Sequence, residues 1–144
     1  MPELMTGRMD VSTAPEAVKR LLRWLDKSGF KAVVAESPNQ EAFGNQHGIW
    51  EKDVLRIGVT RDRDEWSLGI RSTDPDYWAH PDEWKALLEG ERLEETLSSL
   101  DRQVEFIMSR LEEIHVAARD SSQIEQVREI GARWAAEHLG FFPP

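Results

Sequence analysis

The sequence predicts an α+β domain, and three observations carry that prediction. Strand-length stretches with period-two alternation lie in the middle of the chain, at 54–60 and 66–71. An amphipathic helical segment with start and stop signals precedes them at 14–27. A ladder of apolar residues follows: Leu93, Leu97, Leu100, Val104, Ile107, Leu111, Ile114 and Ala118 recur at spacings of four and three. That spacing is the a/d seam of a helix lying along another helix. Helix, then consecutive strands, then helices is the order of an α+β fold.

Residues 1–12 read as a loose leader. Thr13 is a candidate N-cap, Pro15 suits a first turn and Glu16 completes a capping box, so a helix is expected over 14–27. Val18, Leu21, Leu22 and Leu25 form its apolar face, and Gly29 is its stop. Four strands follow, at 32–35, 48–51, 54–60 and 66–71. The link Arg61-Asp62-Arg63-Asp64 is short enough to make the last two a hairpin, and the group reads as an antiparallel meander. Asp74-Pro75-Asp76 breaks the last strand. Pro81 opens a short helix through Leu88 that Gly90 closes.

The heptad helix is expected over 91–119, turning at Asp120-Ser121-Ser122. Ser122 and Glu125 make a second capping box for a helix over 123–139, whose seam is Ile124, Val127, Gly131, Trp134 and His138. So short a turn implies an antiparallel helical hairpin. Phe106 and Met108 flank Ile107, so the long helix is apolar beyond its seam and should meet a third element. The expectation is one domain over 1–144: leader, then helix, sheet and short helix to 90, then a helical hairpin over 91–140. The helices should cover one sheet face.

A chain of 144 residues with 40% hydrophobic content sustains an ordinary core. It has no cysteine, which excludes disulfides and thiolate chemistry. Residues 1–10 carry acidic residues and no apolar run, so no secretion signal is read there and the cytoplasm is the expected location. No apolar run approaches the ~20 residues needed to span a bilayer. The net charge of −9 opposes nucleic acid and anionic membrane as partners and favours a basic protein surface. Acidity also serves plain solubility.

Few constellations offer chemistry. Asp74, Asp76, His80 and Asp82 have the residue types to hold a divalent cation, although their spacing matches no defined loop and suits a turn and a helix start equally well. Glu83 and Lys85 echo the E-x-K element of metal-dependent nucleases, but they fall in a helix, where residues two apart diverge. There is no Gly-x-Ser-x-Gly elbow and no glycine-rich phosphate loop, so no catalytic residue, cofactor or metal site is expected. His115 falls on the polar side of the long helix, and His138 reads as a packed residue near a helix end. The aromatic residues Phe43, Trp50, Trp66, Tyr77, Trp78 and Trp84 cluster around the sheet and its exit. Trp66 reads as core, and Trp78 is the best surface candidate.

Phe43-Gly44-Asn45, Leu55-Arg56-Ile57, Arg61-Asp62-Arg63, Glu65-Trp66 and Trp78 together resemble a group of small bacterial proteins similar to the immunity proteins encoded beside polymorphic toxins. The resemblance spans roughly 30–140, is clearest over 43–78, and implies a fold and no catalytic residues. Ser67, Gly69 and the longer leader depart from the pattern. The resulting expectation is a non-enzymatic protein-binding domain, an immunity-type inhibitor that occludes a basic partner such as a toxin. Its contacts would be Asp62, Asp64, Asp74, Asp76, Trp78 and Asp82. A monomer is expected over a dimer. The alternatives are self-association through the a/d seam and a metal-dependent hydrolase built on the cluster at 74–82.

Overall fold

The computed structural model describes residues 11–33, 46–72, 77–94 and 96–139. The elements run α1 (Glu16–Lys27), β1 (Lys31–Val33), β2 (Gln46–Lys52), β3 (Leu55–Asp62), β4 (Glu65–Ser72), α2 (Pro81–Glu89), α3 (Leu100–Ala118) and α4 (Ser121–Leu139). The strands form one antiparallel sheet in the order β1-β2-β3-β4, the expected meander. No described helix is long and apolar enough to cross a membrane.

α1 buries Ala17, Val18, Leu21, Leu22 and Leu25, the expected face. It starts two residues late, because a residue before proline is pushed out of the helical region and Ala14 precedes Pro15. No side chain caps it, so the Thr13–Glu16 box does not form. Its end is as expected. Gly29 takes φ 96°, and the Phe30 N–H donates to the Leu25 carbonyl at 3.0 Å, closing a Schellman turn.

Pleating sorts the sheet residues onto two faces. One carries the row Trp50, Ile57 and Ile70 and the pair Val59 and Leu68. These join Val18, Leu21 and Leu25 of α1, Trp84 of α2, Val104, Ile107, Leu111 and Ile114 of α3, and Ile124 and Val127 of α4 in one buried cluster. The helices thus cover this face, as expected. The opposite face carries Ile49, Arg56, Gly58, Thr60, Ser67, Gly69 and Arg71.

Beyond β4 the chain returns along the sheet edge. Ile70 and Ala79 exchange backbone hydrogen bonds, each 2.9 Å. α2 follows at once, with Pro81 in its first turn, His80 Nδ1 accepting the Asp82 N–H at 2.9 Å, and Gly90 in the left-handed region at its end. Trp84, 1% exposed, donates its indole N–H to the Ile70 carbonyl at 3.2 Å. A buried tryptophan of this kind packs as a hydrophobe once its single donor is satisfied.

The heptad ladder is shorter than its pattern. α3 begins at Leu100, so Leu93 and Leu97 lie outside any helix. Serines at 98 and 99 end the helical run. Ser99 Oγ accepts the Arg102 N–H, and the Ser98 N–H donates to Asp82 Oδ2 at 2.6 Å. Short hydroxyl side chains favour such caps over a helix interior. The remaining rungs from Val104 to Ala118 are buried, and the backbone kinks at Arg110. Phe106 is buried as well, and Met108 packs against the core, which is the widening the sequence indicated.

α4 is capped by Asp120, not by the expected Ser122–Glu125 box. The Ser122 N–H and hydroxyl both donate to Asp120 Oδ1. These bonds hold the Asp120 carboxyl below its ordinary pKa, the hydroxyl contributing most. The α4 seam also divides. Ile124 and Val127 are buried in the common core, whereas Gly131 lies against Glu83 of α2. Trp134 donates to the Glu94 carbonyl and stacks on His138. The hairpin partner of α4 is therefore α3 in its first half and the α2 region in its second.

His115 is buried, not on a polar face. Its Nε2 lies 3.2 Å from Asp53 Oδ2, which also accepts from Arg119. Asp53 sits at φ 58° in the β2–β3 turn, so this cluster ties that turn to the end of α3. The β3–β4 turn carries a less tolerant residue: Arg63 has φ 62° at its first central position. A non-glycine residue there is strained, and two-residue hairpin turns with this geometry favour glycine. Arg63→Gly is expected to raise stability by about 0.5–1 kcal/mol, read as a higher urea midpoint at unchanged slope.

Candidate functional site

The hairpin register brings two glycines face to face. Gly58 of β3 pairs with Gly69 of β4, on the sheet face that the helices leave uncovered. Without side chains, the pair forms a notch, and the Trp78 indole lies in it. A Cβ on Gly58 would stand 2.7 Å from Trp78 Cη2 and Cζ3, and one on Gly69 would stand 3.1 Å from Cε3. Only glycine permits so close an approach at position 58.

Neighbouring rungs surround the indole. His47 meets it edge-on with ring centroids 5.5 Å apart, and His47 Nδ1 shares a hydrogen bond with Thr60 Oγ1 at 2.8 Å. The Arg71 guanidinium sits 4.8 Å from the indole centroid, a cation–π distance. Trp78 is half-buried and borders an open groove of about 400 Å³ lined by His47, Thr60, Ser67, Leu68, Ala79 and His80 besides the two glycines. With the Arg71 guanidinium already against the indole, this aromatic wall with a few hydroxyls and imidazoles suits an apolar side chain or the methylene stem of a long one.

The segment leading into α2 is anchored on its other side. Tyr77 Oη donates to Glu83 Oε2 at 3.2 Å, and the Arg128 guanidinium lies 4.9 Å from the Tyr77 ring centroid. Glu83 in turn fills the space beside Gly131, where a Cβ would lie 2.8 Å from Oε2. Burial pushes the Glu83 carboxyl up to about 7, against the lowering effect of its hydrogen bonds. Burial, reinforced by Glu83, pushes the Tyr77 phenol up to about 12. His80 is shifted the other way: burial lowers its pKa, which keeps Nδ1 free to accept the cap bond.

The six residues named from sequence fall in different places. Trp78 forms a wall of the groove. Asp62 and Asp64 are exposed at the β3–β4 turn, Asp62 two rungs beyond the Thr60–Ser67 pair. Asp82 is turned inward, where Oδ2 accepts the Ser98 N–H. Asp74 and Asp76 lie outside the described residues, as does Phe43. Among the described residues no three His, Asp or Glu side chains converge as metal ligands would. Trp66, read as core, is partly buried against it, with Arg61 over its ring at 5.8 Å.

Neither the glycine notch nor His47 belongs to a recognisable sequence motif. The signal was present: pairing Asp62 with Glu65 across the turn places Gly58 opposite Gly69 by counting. Ser67 and Gly69, the two strand positions that depart from the resembled group, both line the groove.

Two outcomes follow. Gly58→Ala is expected to displace Trp78 and lower stability by about 1–3 kcal/mol, visible in the indole NMR resonance and the melting curve. Glu83 titrates near 4.5 when unfolded and near 7 when folded, so its favourable contribution is full below 4.5 and is lost as pH rises through 7. His80 acts in the opposite direction, losing its contribution as pH falls below its ordinary value. Glu83→Gln should therefore match the parent melting temperature at pH 4.5 and exceed it by several degrees at pH 8.

No protein-family model, curated protein or solved structure matches the chain.

Proposed function

We propose that this chain is a non-enzymatic protein-binding domain of the immunity type, which occludes a basic partner such as a toxin through its helix-free sheet face. The observation that carries the proposal is the seat of Trp78. A large aromatic side chain held on two facing glycines at the rim of an open groove is a pre-ordered contact, at low entropic cost on binding. The net charge of −9 supports a basic partner. Asp62 and Asp64, exposed beyond the groove, would meet that partner first. Asp74 and Asp76, close to Trp78 in sequence, join the contact on charge alone. Asp82, engaged with Ser98, positions the α2–α3 link and contributes at most indirectly.

In this reading the protein works as a cytoplasmic monomer. The buried rungs of the a/d seam are occupied within one chain, which supports the monomer over a coiled-coil dimer. The hydrolase alternative is weakened by His80 and Asp82, whose polar atoms are engaged in capping α2 and tethering Ser98.

A tagged chain exposed to lysate of its native host should retain one dominant small basic protein. Added salt should slow association. Trp78→Ala should weaken the complex about 30-fold, as loss of a central aromatic contact does, while the melting curve stays cooperative. Capture unaffected by Trp78→Ala, or by Asp62→Asn with Asp64→Asn, would sink the proposal.

A further inference from the structure

Among the described residues, the outer edge of the sheet is only partly occupied. Ile70 of β4 turns its N–H and carbonyl outward to Ala79. Successive residues of an antiparallel strand alternate between neighbours, so Leu68 and Trp66 also turn their N–H and carbonyl groups outward. Neither makes a hydrogen bond on that side with any described residue, and the chain has left the edge at Pro81 to form α2. β4 pairs with β3 without a bulge from Glu65 to Ser72, and it holds neither proline nor lysine. At Trp66 and Leu68 it thus lacks three of the devices that blunt an edge strand, a bulge, a proline and a lysine.

This open stretch borders the Trp78 groove, whose lining includes Leu68, Ala79 and His80 at the edge and Ser67 and Gly69 on the face. We propose that β4 accepts an added strand: an extended segment of the partner, carrying lysine or arginine, pairs with Trp66 and Leu68 and lays one side chain into the groove. The inference rests on the reading of the groove as a binding face and specifies how the partner is held. Main-chain hydrogen bonds to Trp66 and Leu68 supply register, and the groove selects the side chain. A lysine or arginine stem would pack against Trp78 and direct its head toward Asp64 and Glu65, both exposed where β4 begins. A second copy of this chain is the obvious competitor for a free edge. Its charge of −9 would be brought against an equal charge, which disfavours it.

The test uses the full chain and a random peptide library displayed on phage. Enriched peptides are expected to carry lysine or arginine at alternate positions, with no proline in the paired stretch. A synthetic copy of an enriched peptide should slow amide exchange at Trp66 and Leu68 about tenfold or more. Methylating two alternate peptide nitrogens should weaken its binding about tenfold. A bound peptide that leaves both amides unprotected overturns strand addition; if it still shifts the Trp78 indole resonance, the groove remains the binding face. Enrichment of acidic peptides, or of none, overturns the basic occupant. Protection that grows with protein concentration alone, without peptide, assigns the edge to a second copy and overturns the proposal as well.

Discussion

The carbonyl of Ile70 accepts two hydrogen bonds, and the arrangement of the molecule around the sheet edge depends on them. One comes from the Ala79 N–H at 2.9 Å and holds the returning chain against β4. The other comes from the Trp84 indole at 3.2 Å and pins the first turn of α2 over the helix-covered face. Residues 78 and 84 are six apart, yet they end on opposite sides of the sheet. Trp84 enters the core at 1% exposure, and Trp78 lies over the glycine pair on the open face. The crossing at Ala79 makes this possible, since a chain paired along an edge can send side chains to both faces.

The same crossing joins the helices to the site. Asp82, on the first turn of α2, reaches the Ser98 N–H just before α3 begins. Glu83, its neighbour, takes the Tyr77 hydroxyl and fills the space that Gly131 leaves on α4. The residue before Trp78 is thus tethered to two helices, while Trp78 itself is fitted to two strands. Exposed ion pairs such as Arg20–Glu105 and Arg23–Glu16 add little beside these contacts, because solvent screens them. The buried apolar cluster supplies the stability, and the polar contacts around Ile70 determine where the aromatic residues go.

Elements whose signals are local were legible. The α1 face, the β3–β4 hairpin, Pro81 and Gly90 bounding α2, and the Val104–Ala118 seam each depend on residues within a few positions of one another. Caps were less legible. The cap of α4 passed from Ser122 to Asp120, because several short polar side chains compete for the same backbone groups, whereas α1 has no side-chain cap and α3 begins nine residues late, at Leu100. Leu93 and Leu97 continue a heptad pattern that Ser98 and Ser99 interrupt, and an apolar spacing does not by itself show that a helix spans it. Trp78 could be picked out as the surface tryptophan because proline and aspartate precede it. That its seat consists of Gly58 and Gly69 required the pairing of two strands and the return of a third segment across them.

By itself the sequence determined the class of fold, the order of elements and the net charge of −9. Each follows from periodicity, punctuation and composition, which are properties of short windows or of the whole chain. Tertiary structure alone decided that His115 is buried against Asp53, that α4 shares itself between α3 and α2, and that Glu83 titrates near neutrality. It also decided that the sheet face opposite the helices carries an aromatic groove, beside a stretch of β4 that no described residue pairs with. These are consequences of proximity between residues far apart in sequence. A burial, a glycine's empty space or a free strand edge exists only once another part of the chain has taken its place beside it.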